Sequence, residues 1–272
     1  MMSLPVSAII IVRNEEQTME RCLSSLIWTN EIIVVDGGSE DQTLKICENE
    51  NAPWASKIRI FHRPWDGFRN QRNFSLQKAS HPWVLVVDAD ERCTPELATK
   101  IKELLALPQG PPLRAYQVRR IEYLLGKEIH HGIWCPSYQD RFFLRTGVQY
   151  INDIHEYPQF QSLPGMIHEP IEHYPSFTPE KFLQKMNRYT SVEALNRVNQ
   201  GARTNGFRLL FAFPAMFFKN FFYYGAYQDG MHGFIISLLE GVSRVVRHIK
   251  IWQYSAQKNS PSNDPAIKKA DQ

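Results

Sequence analysis

Cysteine is scarce in this chain, and its four cysteines are far apart: Cys22, Cys47, Cys93 and Cys135. No two of them form a C-x-x-C pair, so the sequence has neither the spacing of a zinc site nor that of a dithiol redox motif. Scattered thiols are typical of a reducing compartment, where cysteine serves as a small core residue. No basic segment followed by an apolar stretch opens the sequence, and we therefore expect a protein on the cytoplasmic side of the membrane.

An excess of one charge sign is also missing. Lys and Arg total 31 against 28 Asp and Glu, and this net charge of +3 is too small to argue for a nucleic-acid partner. One aromatic-rich stretch, residues 207–227, approaches the length of a membrane span, but polar residues and a proline interrupt it. The interrupting residues are Arg208, Pro214, Lys219 and Asn220. A hydrophobic content of 43% indicates an ordinary folded chain.

The chain does contain short apolar runs that end in polar residues. Residues 6–12 (VSAIIIV), 31–36 (EIIVVD) and 83–91 (WVLVVDADE) each predict a strand buried on both faces. An alternating run at 57–62 predicts a further strand near a sheet edge. Helical patterns lie between these runs, and Asn14 is the expected N-cap of the first helix. This alternation predicts an α/β fold with a mostly parallel sheet.

The second half of the chain has a different pattern. Residues 114–173 alternate polar and apolar positions, which predicts mixed or antiparallel strands. Thr178 and Pro179 predict the start of a long helix, as N-cap and first helical residue. The predicted organisation is one domain at 1–200 with halves 1–110 and 111–200, a helical region at 201–256 and a disordered tail at 257–272.

Three carboxylates follow the strand predicted at 83–91: Asp88, Asp90 and Glu91. Ligands of open α/β sheets bind beyond the carboxyl ends of the strands, so Asp88 and Asp90 should lie at a binding edge. On an extended chain both side chains would point the same way and could share one divalent cation. Carboxylate oxygens suit Mg²⁺ or Mn²⁺. The alternative is a solvated acidic turn.

Four motifs converge on this predicted edge: Arg13-Asn14-Glu15, Asp36-Gly37-Gly38-Ser39, Gln71-Arg72-Asn73 and Asp88-Ala89-Asp90. Their order and spacing resemble those of family 2 glycosyltransferases with the GT-A fold. Three later segments are similar to the branch of β-1,4-glucosyltransferases that adds sugars to lipopolysaccharide core. These segments are Ile154-His155-Glu156, residues 185–189 (KMNRY) and residues 227–233 (YQDGMHG).

The resemblance implies a Rossmann-like sheet with a nucleotide-sugar half, a mixed acceptor half and a helical C-terminal region. It also implies an inverting, metal-dependent hexosyltransferase of the cell envelope. Such an enzyme would move glucose from UDP-glucose onto a lipid-linked or lipopolysaccharide-type glycan. The cofactor would be Mg²⁺ or Mn²⁺, and the sequence says nothing of the oligomeric state.

Site roles follow from the same resemblance. Asp36 would accept a hydrogen bond from the base, typically uracil N3–H. Asp90 would be the stronger metal ligand, and Asp88 would orient the ribose or share the metal. Arg72 would face the base or the phosphates. The expected nucleotide-binding set is completed by Arg13, Glu15 and Gly38.

Plainer roles compete with three of these assignments. Asp36 could cap the turn that follows it. Arg72 could be an ordinary surface arginine, and Glu15 could cap its own helix. All three therefore remain open at the level of sequence.

Inverting transfer needs a general base that deprotonates the acceptor hydroxyl. The family places an Asp or Glu in the acceptor half for this task, and Glu156 is the first candidate. Asp140 is the second, because its neighbour Arg141 would lower its pKa and make it a poorer base. Either carboxylate could instead form a structural ion pair. His155 and His168 could bind phosphate or complete the metal shell.

Two other functional classes remain. A nucleotidyltransferase would need a glycine-rich, cationic loop after the first strand, but residues 13–16 read Arg-Asn-Glu-Glu. A non-catalytic sugar-nucleotide or membrane-binding module would be favoured if the carboxylates proved dispensable. Residues 201–252 hold six Lys or Arg against two acidic residues, which favours peripheral contact with a membrane interface. The alternative is that these aromatic helices dock on the core.

Overall fold

Parallel strands begin the fold in a computed structural model that describes residues 5–152 and 156–258. They are β1 (Val6–Val12), β2 (Glu31–Asp36), β3 (Ile58–His62) and β4 (Trp83–Val86). Their order in the sheet is β3-β2-β1-β4, with every neighbouring pair parallel. The predicted parallel sheet is confirmed, and β3 forms its edge as expected. Val12 is level with Asp36, and Asp36 with His62, so the carboxyl ends of three strands meet.

Helices connect these strands, as right-handed crossovers require. They are α1 (Met19–Ser24), α2 (Thr43–Cys47) and α3 (Phe68–Lys78). A fourth helix, α4 (Pro95–Ala106), comes after β4 in the chain. Thr94 caps α4, since its hydroxyl accepts a hydrogen bond from the Leu97 amide at 3.2 Å.

The prediction for the first helix cap is wrong. Helix α1 begins at Met19, after Thr18, and Asn14 lies in the preceding loop with a φ of 56°. Asparagine tolerates this left-handed conformation better than most residues because its side chain can hydrogen-bond locally. The three residues between Asn14 and Thr18 therefore form a loop rather than a first helical turn.

The second half of the sheet is mixed, as predicted. Its strands are β5 (Glu91–Cys93), β6 (Ala115–Leu124), β7 (Lys127–Ile129), β8 (Ser137–Leu144) and, after a separate hairpin, β11 (Gly165–His173). The hairpin is β9 (Gln149–Ile151) with β10 (Tyr157–Gln159). Strand β8 runs antiparallel to both β4 and β6, β11 is parallel to β6, and β5 is antiparallel to β11. Strand β8 therefore joins the parallel strands to the mixed strands in one sheet.

Successive residues of β1 pack into two different hydrophobic clusters. Ala8 and Ile10 pack in one, and Ile9 and Ile11 in the other. This alternation confirms that β1 is buried on both faces, which is why its sequence is an unbroken apolar run. The cysteines also fit the prediction, because three of them are buried as free thiols. These three are Cys22, Cys47 and Cys93.

The chain divides into two compact units, one ending at Ser176 and the other formed by Ile129–Cys135 and the chain from Phe177 onward. The second unit contains α5 (Pro179–Asn199), α6 (Gly206–Phe218), a π-helical turn (Lys219–Tyr223), a 3₁₀ turn (Ala226–Asp229) and α7 (Met231–Lys258). Helix α5 starts where the sequence predicts, but it belongs to this unit, so the boundary lies ahead of the expected residue 200.

The C-terminal region is predicted to end in a disordered tail and to contain no single membrane span. Residues 259–272, most of the expected disordered tail, lie outside the described residues. Between residues 5 and 258, apart from 153–155, no helix combines the length and the apolar character that a membrane crossing needs.

A buried carboxylate fixes the start of β2. Glu31 Oε2 accepts hydrogen bonds from the Ser7 hydroxyl at 2.7 Å and from the Ser80 amide at 2.8 Å, and Arg59 pairs with its other oxygen. Burial alone would raise the pKa of Glu31, but the bonds from Ser80, Ser7 and Arg59 outweigh it and lower the pKa to about 2.

This pKa predicts an acid-sensitive contribution to stability. The Glu31 pKa lies below its ordinary value of 4.5, so the contribution is complete above that pH and is lost as the pH falls towards about 2. Glu31→Gln should make the free energy of unfolding fall less steeply across this window, as measured by urea unfolding at a series of pH values. Glu50→Gln removes a carboxylate from an exposed position and is the charge-matched control. Identical slopes for Glu31→Gln and the parent would contradict the assignment.

Candidate active site

The loops that follow β1 and β2 are fastened to each other by hydrogen bonds. The Asn14 amide donates to Ser39 Oγ at 3.0 Å, and Asn14 Oδ1 accepts from the Glu40 amide at 2.8 Å. The Glu15 amide donates to Thr43 Oγ1 at 2.8 Å. The first two motifs therefore meet at the carboxyl edge of the sheet, as the sequence predicts.

The outer residues of these loops differ in exposure. Arg13 and Gly38 are exposed, and Glu15 is half-buried with a carboxylate oxygen that accepts from the Thr18 hydroxyl at 3.1 Å. Gly38 has a φ of +91°, which a residue with a side chain adopts only with strain. Glycine is thus needed for the turn itself at this position.

Asp36 is engaged by the turn that follows it. Its carboxylate, 2% exposed, accepts from the Gly38 amide at 3.0 Å and from the Ser39 amide at 3.1 Å. His62 Nδ1 lies 3.7 Å from Asp36 Oδ2. This is the turn-capping role that the sequence left open, and the base-binding role stays a prediction.

Asp88, which is half-buried, is the centre of an ionic cluster with buried arginines. One carboxylate oxygen pairs with Arg72 of α3, and the other with Arg141 of β8 at 2.5 Å. Arg141 also pairs with Glu91 at 2.5 Å, and Glu91 Oε2 accepts from the Asp88 amide at 3.0 Å. Arg72 is therefore not a surface arginine, and both oxygens of Asp88 already face a guanidinium.

The arginines set the ionisation of Asp88. Burial alone would raise its pKa, but the charges of Arg141 and Arg72 hold the pKa of this carboxyl well below its usual range. Burial has the larger effect at Glu91 and raises its pKa. Two buried nitrogens, Arg72 Nη1 and Arg141 Nε, have no hydrogen-bond partner among the described residues.

Asp90 points to a different partner. Its Oδ2 lies 3.1 Å from His173 Nε2, and His173 Nδ1 lies 2.6 Å from Glu122 Oε2. Burial would lower the pKa of His173, but its bonds to Asp90 and Glu122 raise that pKa to about 10. The imidazole is thus a cation held between two carboxylates.

The expected strand geometry of the acidic motif is wrong. Strand β4 ends at Val86, and Asp88 to Asp90 lie in the turn before β5. Because the backbone is not extended there, alternation does not align the two side chains. Asp88 turns to the arginines and Asp90 turns to His173.

A cavity of about 210 Å³ lies beside Asp90. Its wall carries two arginines, Arg21 and Arg92, and the Arg92 guanidinium lies 4.0 Å from the centre of the Tyr174 ring. The remaining lining residues are Gln17, Thr18, Glu91, Pro175 and Ser176. Two carboxylates, Asp90 and Glu91, and two guanidiniums line this cavity, which suits a ligand that carries both anionic and metal-binding oxygens.

The residues here offer a divalent cation two ligands, the Asp90 carboxylate and, once deprotonated, His173 Nε2. Asp88 fits less well, since its oxygens are bound by Arg72 and Arg141. No cluster of three or more His, Cys, Asp or Glu side chains suited to a metal occurs in the part of the chain that the structure describes. Further ligands would have to come from water or substrate phosphate, which is common for Mg²⁺.

His173 is the residue that the motifs did not indicate. The sequence supplies a histidine at the end of an alternating run but no spacing that links it to Asp90, 83 positions earlier. The link arises because β11 pairs antiparallel with β5, which places His173 level with Glu91.

The prediction that the pKa of Asp140 is lowered is wrong. Burial raises the pKa of this carboxyl, and the opposing effects of Gln117 and Arg141 are smaller. Arg141 has little influence because its guanidinium is directed to Asp88 and Glu91. Asp140 Oδ1 is buried without a hydrogen-bond partner in residues 5–152 and 156–258.

Glu156 is half-buried and directly precedes β10, at the loop end of the β9–β10 hairpin. Helix α3 holds this hairpin, because Asn73 Nδ2 donates to the Tyr150 carbonyl at 2.9 Å and Asn73 Oδ1 accepts from the Tyr150 amide at 2.8 Å. Of the histidines, His155 lies outside the described residues, and His168 pairs with the Tyr138 hydroxyl at 3.0 Å. The motif at 71–73 thus supplies both an ion pair to Asp88 and a clamp on the hairpin.

The model of glycosyl transferase family 2 matches residues 7–155. The chain belongs to this family. Lipopolysaccharide core biosynthesis glycosyltransferase LpsC of Rhizobium meliloti (strain 1021) is 30% identical over 97% of this chain and 98% of its own length. The predicted family, and with it the activity of a glycosyltransferase, is confirmed.

Solved structures give weaker likenesses. Crystalline S. aureus TarS 1-349 in complex with UDP-GlcNAc is 16% identical, with a TM-score of 0.44, and the match covers 94% of this chain and 88% of that one. Glucosyl-3-phosphoglycerate synthase from Mycobacterium tuberculosis, in complex with Mn²⁺, UDP and phosphoglyceric acid, is 23% identical over 43% of each chain, with a TM-score of 0.34. In this family 2 glycosyltransferase the predicted α/β sheet, parallel and then mixed, is present.

The ionic cluster yields a stability prediction for this glycosyltransferase. Arg141→Gln should lower the free energy of unfolding by about 3–5 kcal/mol, because it breaks the close ion pair of the buried Glu91 and leaves Asp88 with Arg72 alone. Urea unfolding followed by tryptophan fluorescence measures the loss. Arg63→Gln removes a guanidinium from an exposed pair with Asp66 and should cost far less. If both variants lost the same free energy of unfolding, the ion pairs of Arg141 would contribute no more to stability than an exposed pair.

Proposed function

We propose that this family 2 glycosyltransferase is an inverting enzyme that moves glucose from UDP-glucose onto a lipid-linked or lipopolysaccharide-type glycan. The observation that carries the proposal is Asp90, which lines a cavity beside His173 and next to the Asp88 cluster. The acceptor class is supported by the similarity to LpsC over almost the whole chain. A nucleotidyltransferase is disfavoured by family membership and by the absence of glycine from residues 13–16.

Asp90 and His173 would hold Mg²⁺ or Mn²⁺. A bound cation would supply positive charge that neutralises the departing diphosphate. Arg21 and Arg92 on the cavity wall would add charge-assisted hydrogen bonds to phosphate oxygens. Because His173 is protonated without the metal, binding would release its proton.

Asp88 would accept a hydrogen bond from the nucleotide sugar while Arg72 and Arg141 hold its carboxylate in place. Its carboxylate is 30% exposed, and a carboxylate has about four lone-pair positions, so it can accept from a ribose hydroxyl while both arginines remain bound. The unpartnered Arg72 Nη1 is a further donor for a nucleotide oxygen. The turn around Asp36 would accept from uracil N3–H, with Arg13, Glu15 and Gly38 beside it.

Glu156 would take the proton from the acceptor hydroxyl as it attacks the anomeric carbon. The clamp from Asn73 to Tyr150 supports this assignment, because it fixes the hairpin that carries Glu156 relative to α3 and its Asp88 partner Arg72. Asp140 is the second candidate, and its raised pKa makes it a stronger base than the sequence suggested.

Peripheral membrane attachment would involve the second unit. Large apolar side chains are exposed there, with Phe207 and Leu210 at 71% and Tyr223 at 79%. Lys219 lies 5.4 Å from the Tyr224 ring centre, a pairing of cation and aromatic ring suited to a headgroup region. We place this attachment at the cytoplasmic face of the membrane.

Donor binding is tested by thermal stability. UDP-glucose with Mn²⁺ should stabilise the protein by about 2.7 kcal/mol at a hundred-fold excess over its Kd. GDP-glucose and ADP-glucose should stabilise the protein less. Asp90→Asn should lose the Mn²⁺-dependent part, whereas Asp66→Asn, at an exposed position remote in sequence from the motif, should keep it. If no nucleotide sugar stabilised the protein, the proposed donor chemistry would be wrong.

The general base is tested by separating binding from transfer. Glu156→Gln should bind UDP-glucose as the parent does and reduce kcat by about 10²–10⁴-fold, the usual contribution of a general base. Asp140→Asn is the matched comparison. Parental turnover by Glu156→Gln together with loss of turnover by Asp140→Asn would reassign the base to Asp140.

A further inference from the structure

A tryptophan lies against the turn that follows β2. A Cβ atom placed on Gly37 would come within 2.7 Å of Trp65 Cε3, a distance that real Cβ atoms essentially never show. The φ of Gly37 is outside the left-handed region, so the backbone does not require glycine there. Glycine is needed at this position because Trp65 occupies the space that a side chain would fill.

Gly37 also brings Trp65 to the residues that the sequence predicts for nucleotide binding. Asp36 and Gly38 are the chain neighbours of Gly37, and Arg13 Cβ lies 3.6 Å from the same Cβ position. Trp65 itself belongs to none of the four sequence motifs. It is therefore an aromatic residue at the predicted base-binding turn that the motifs did not indicate.

The loop that carries Trp65 is held by hydrogen bonds from two elements. The Arg63 amide donates to the Asp36 carbonyl at 2.9 Å, which extends the pairing of β3 with β2. Gln71 of α3 is fully buried, and its Nε2 donates to the carbonyls of Arg63 and Pro64 at 3.1 and 3.0 Å. The position of Trp65 is thus fixed before a ligand binds, which lowers the entropy lost on binding.

The Trp65 ring is only partly covered by the protein. It packs at the margin of the hydrophobic cluster that contains Ile11 and Val35. The Phe68 ring meets it at 89°, with ring centres 4.8 Å apart. Trp65 nevertheless remains half-buried. An indole held in this way offers a flat apolar surface, on which a flat aromatic ligand can stack.

The position of Trp65 along the sheet indicates which part of a donor would stack there. Trp65 follows β3, whereas the acidic motif follows β4, three strand spacings or about 14 Å away. The ribose and both phosphates of a nucleotide sugar separate its base from its glycosyl bond. A base bound beyond β3 therefore leaves the diphosphate to reach Asp90 and the arginines of its cavity.

We propose that Trp65 binds the donor by stacking its indole on the nucleobase while Asp36 accepts a hydrogen bond from the edge of that base. This rests on the proposed nucleotide-sugar donor and adds a residue to its binding site. Every base has a π-face, so stacking on Trp65 contributes affinity for any nucleotide. The choice of base then depends on the hydrogen bond at Asp36.

Binding of UDP and of inorganic pyrophosphate, each with Mn²⁺, tests the stacking by isothermal titration calorimetry. Trp65→Leu should weaken UDP binding about tenfold, as expected for the loss of one base–aromatic stack, and should leave pyrophosphate binding unchanged. Trp65→Phe keeps an aromatic ring and should lose less. Trp252→Leu makes the same substitution at an exposed tryptophan of α7 and should bind both probes as the parent does.

A second variant disturbs the stack without removing the indole. The methyl group of Gly37→Ala would displace the Trp65 ring, so UDP binding should weaken while pyrophosphate binding is kept. Gly206→Ala is the matched control, because its added methyl group would meet no heavy atom within 4 Å. This pair decides the question even if Trp65→Leu folds poorly.

Fluorescence separates stacking from support of the turn. A base stacked on Trp65 should quench its emission, so UDP should quench the parent and not Trp65→Phe. Equal quenching of both proteins, or equal UDP affinity of the parent and Trp65→Leu, would overturn the stacking and leave the donor assignment intact. A parent that bound GDP rather than UDP, with weaker binding in Trp65→Leu, would overturn the uridine donor alone. A parent that bound pyrophosphate but no nucleoside diphosphate would overturn both.

Discussion

The ionic cluster around Asp88 is the constraint on which the catalytic edge depends. Removing a carboxylate and two guanidiniums from water is costly, and the cost is offset only if every charge is paired. Here Asp88 is paired by Arg72 from α3 and Arg141 from β8, and Arg141 also meets Glu91. One helix, one antiparallel strand and the acidic turn are thereby fixed relative to one another, so none can shift without leaving a buried charge unpaired.

This pairing gives Asp88 and Asp90 of the acidic motif different partners. Because the arginines occupy Asp88, Asp90 is left for the cavity, where His173 holds it from β11. His173 is in turn held by Glu122, which is paired with Arg120. A chain of alternating charges therefore runs from the sheet interior to the cavity wall. In the proposed metal site, Asp90 held in this way would need little reorganisation when a nucleotide diphosphate enters.

The sequence predicted what local patterns determine and missed what pairing across the sheet determines. Apolar runs identified β1 to β4, because a strand buried on both faces has few polar alternatives. Capping rules failed at Asn14, whose partners Ser39 and Glu40 lie in another loop about 25 residues away. The roles of Arg141 and His173 depend on β8 lying beside β4 and on β11 lying beside β5, which no local signal encodes.

Large aromatic side chains of the second unit are exposed, whereas the sequence left open whether they dock on a core. Buried polar side chains make the hydrogen bonds within this unit. Asn220 Oδ1 accepts from the Ile133 amide at 2.6 Å, and Asp229 accepts from the His131 amide at 2.8 Å. The π-helical and 3₁₀ turns carry these two residues, so the irregular backbone aims polar groups at the 129–135 segment. With that segment held by hydrogen bonds, aromatic side chains such as Phe222 and Tyr223 stay exposed, as the proposed membrane attachment requires.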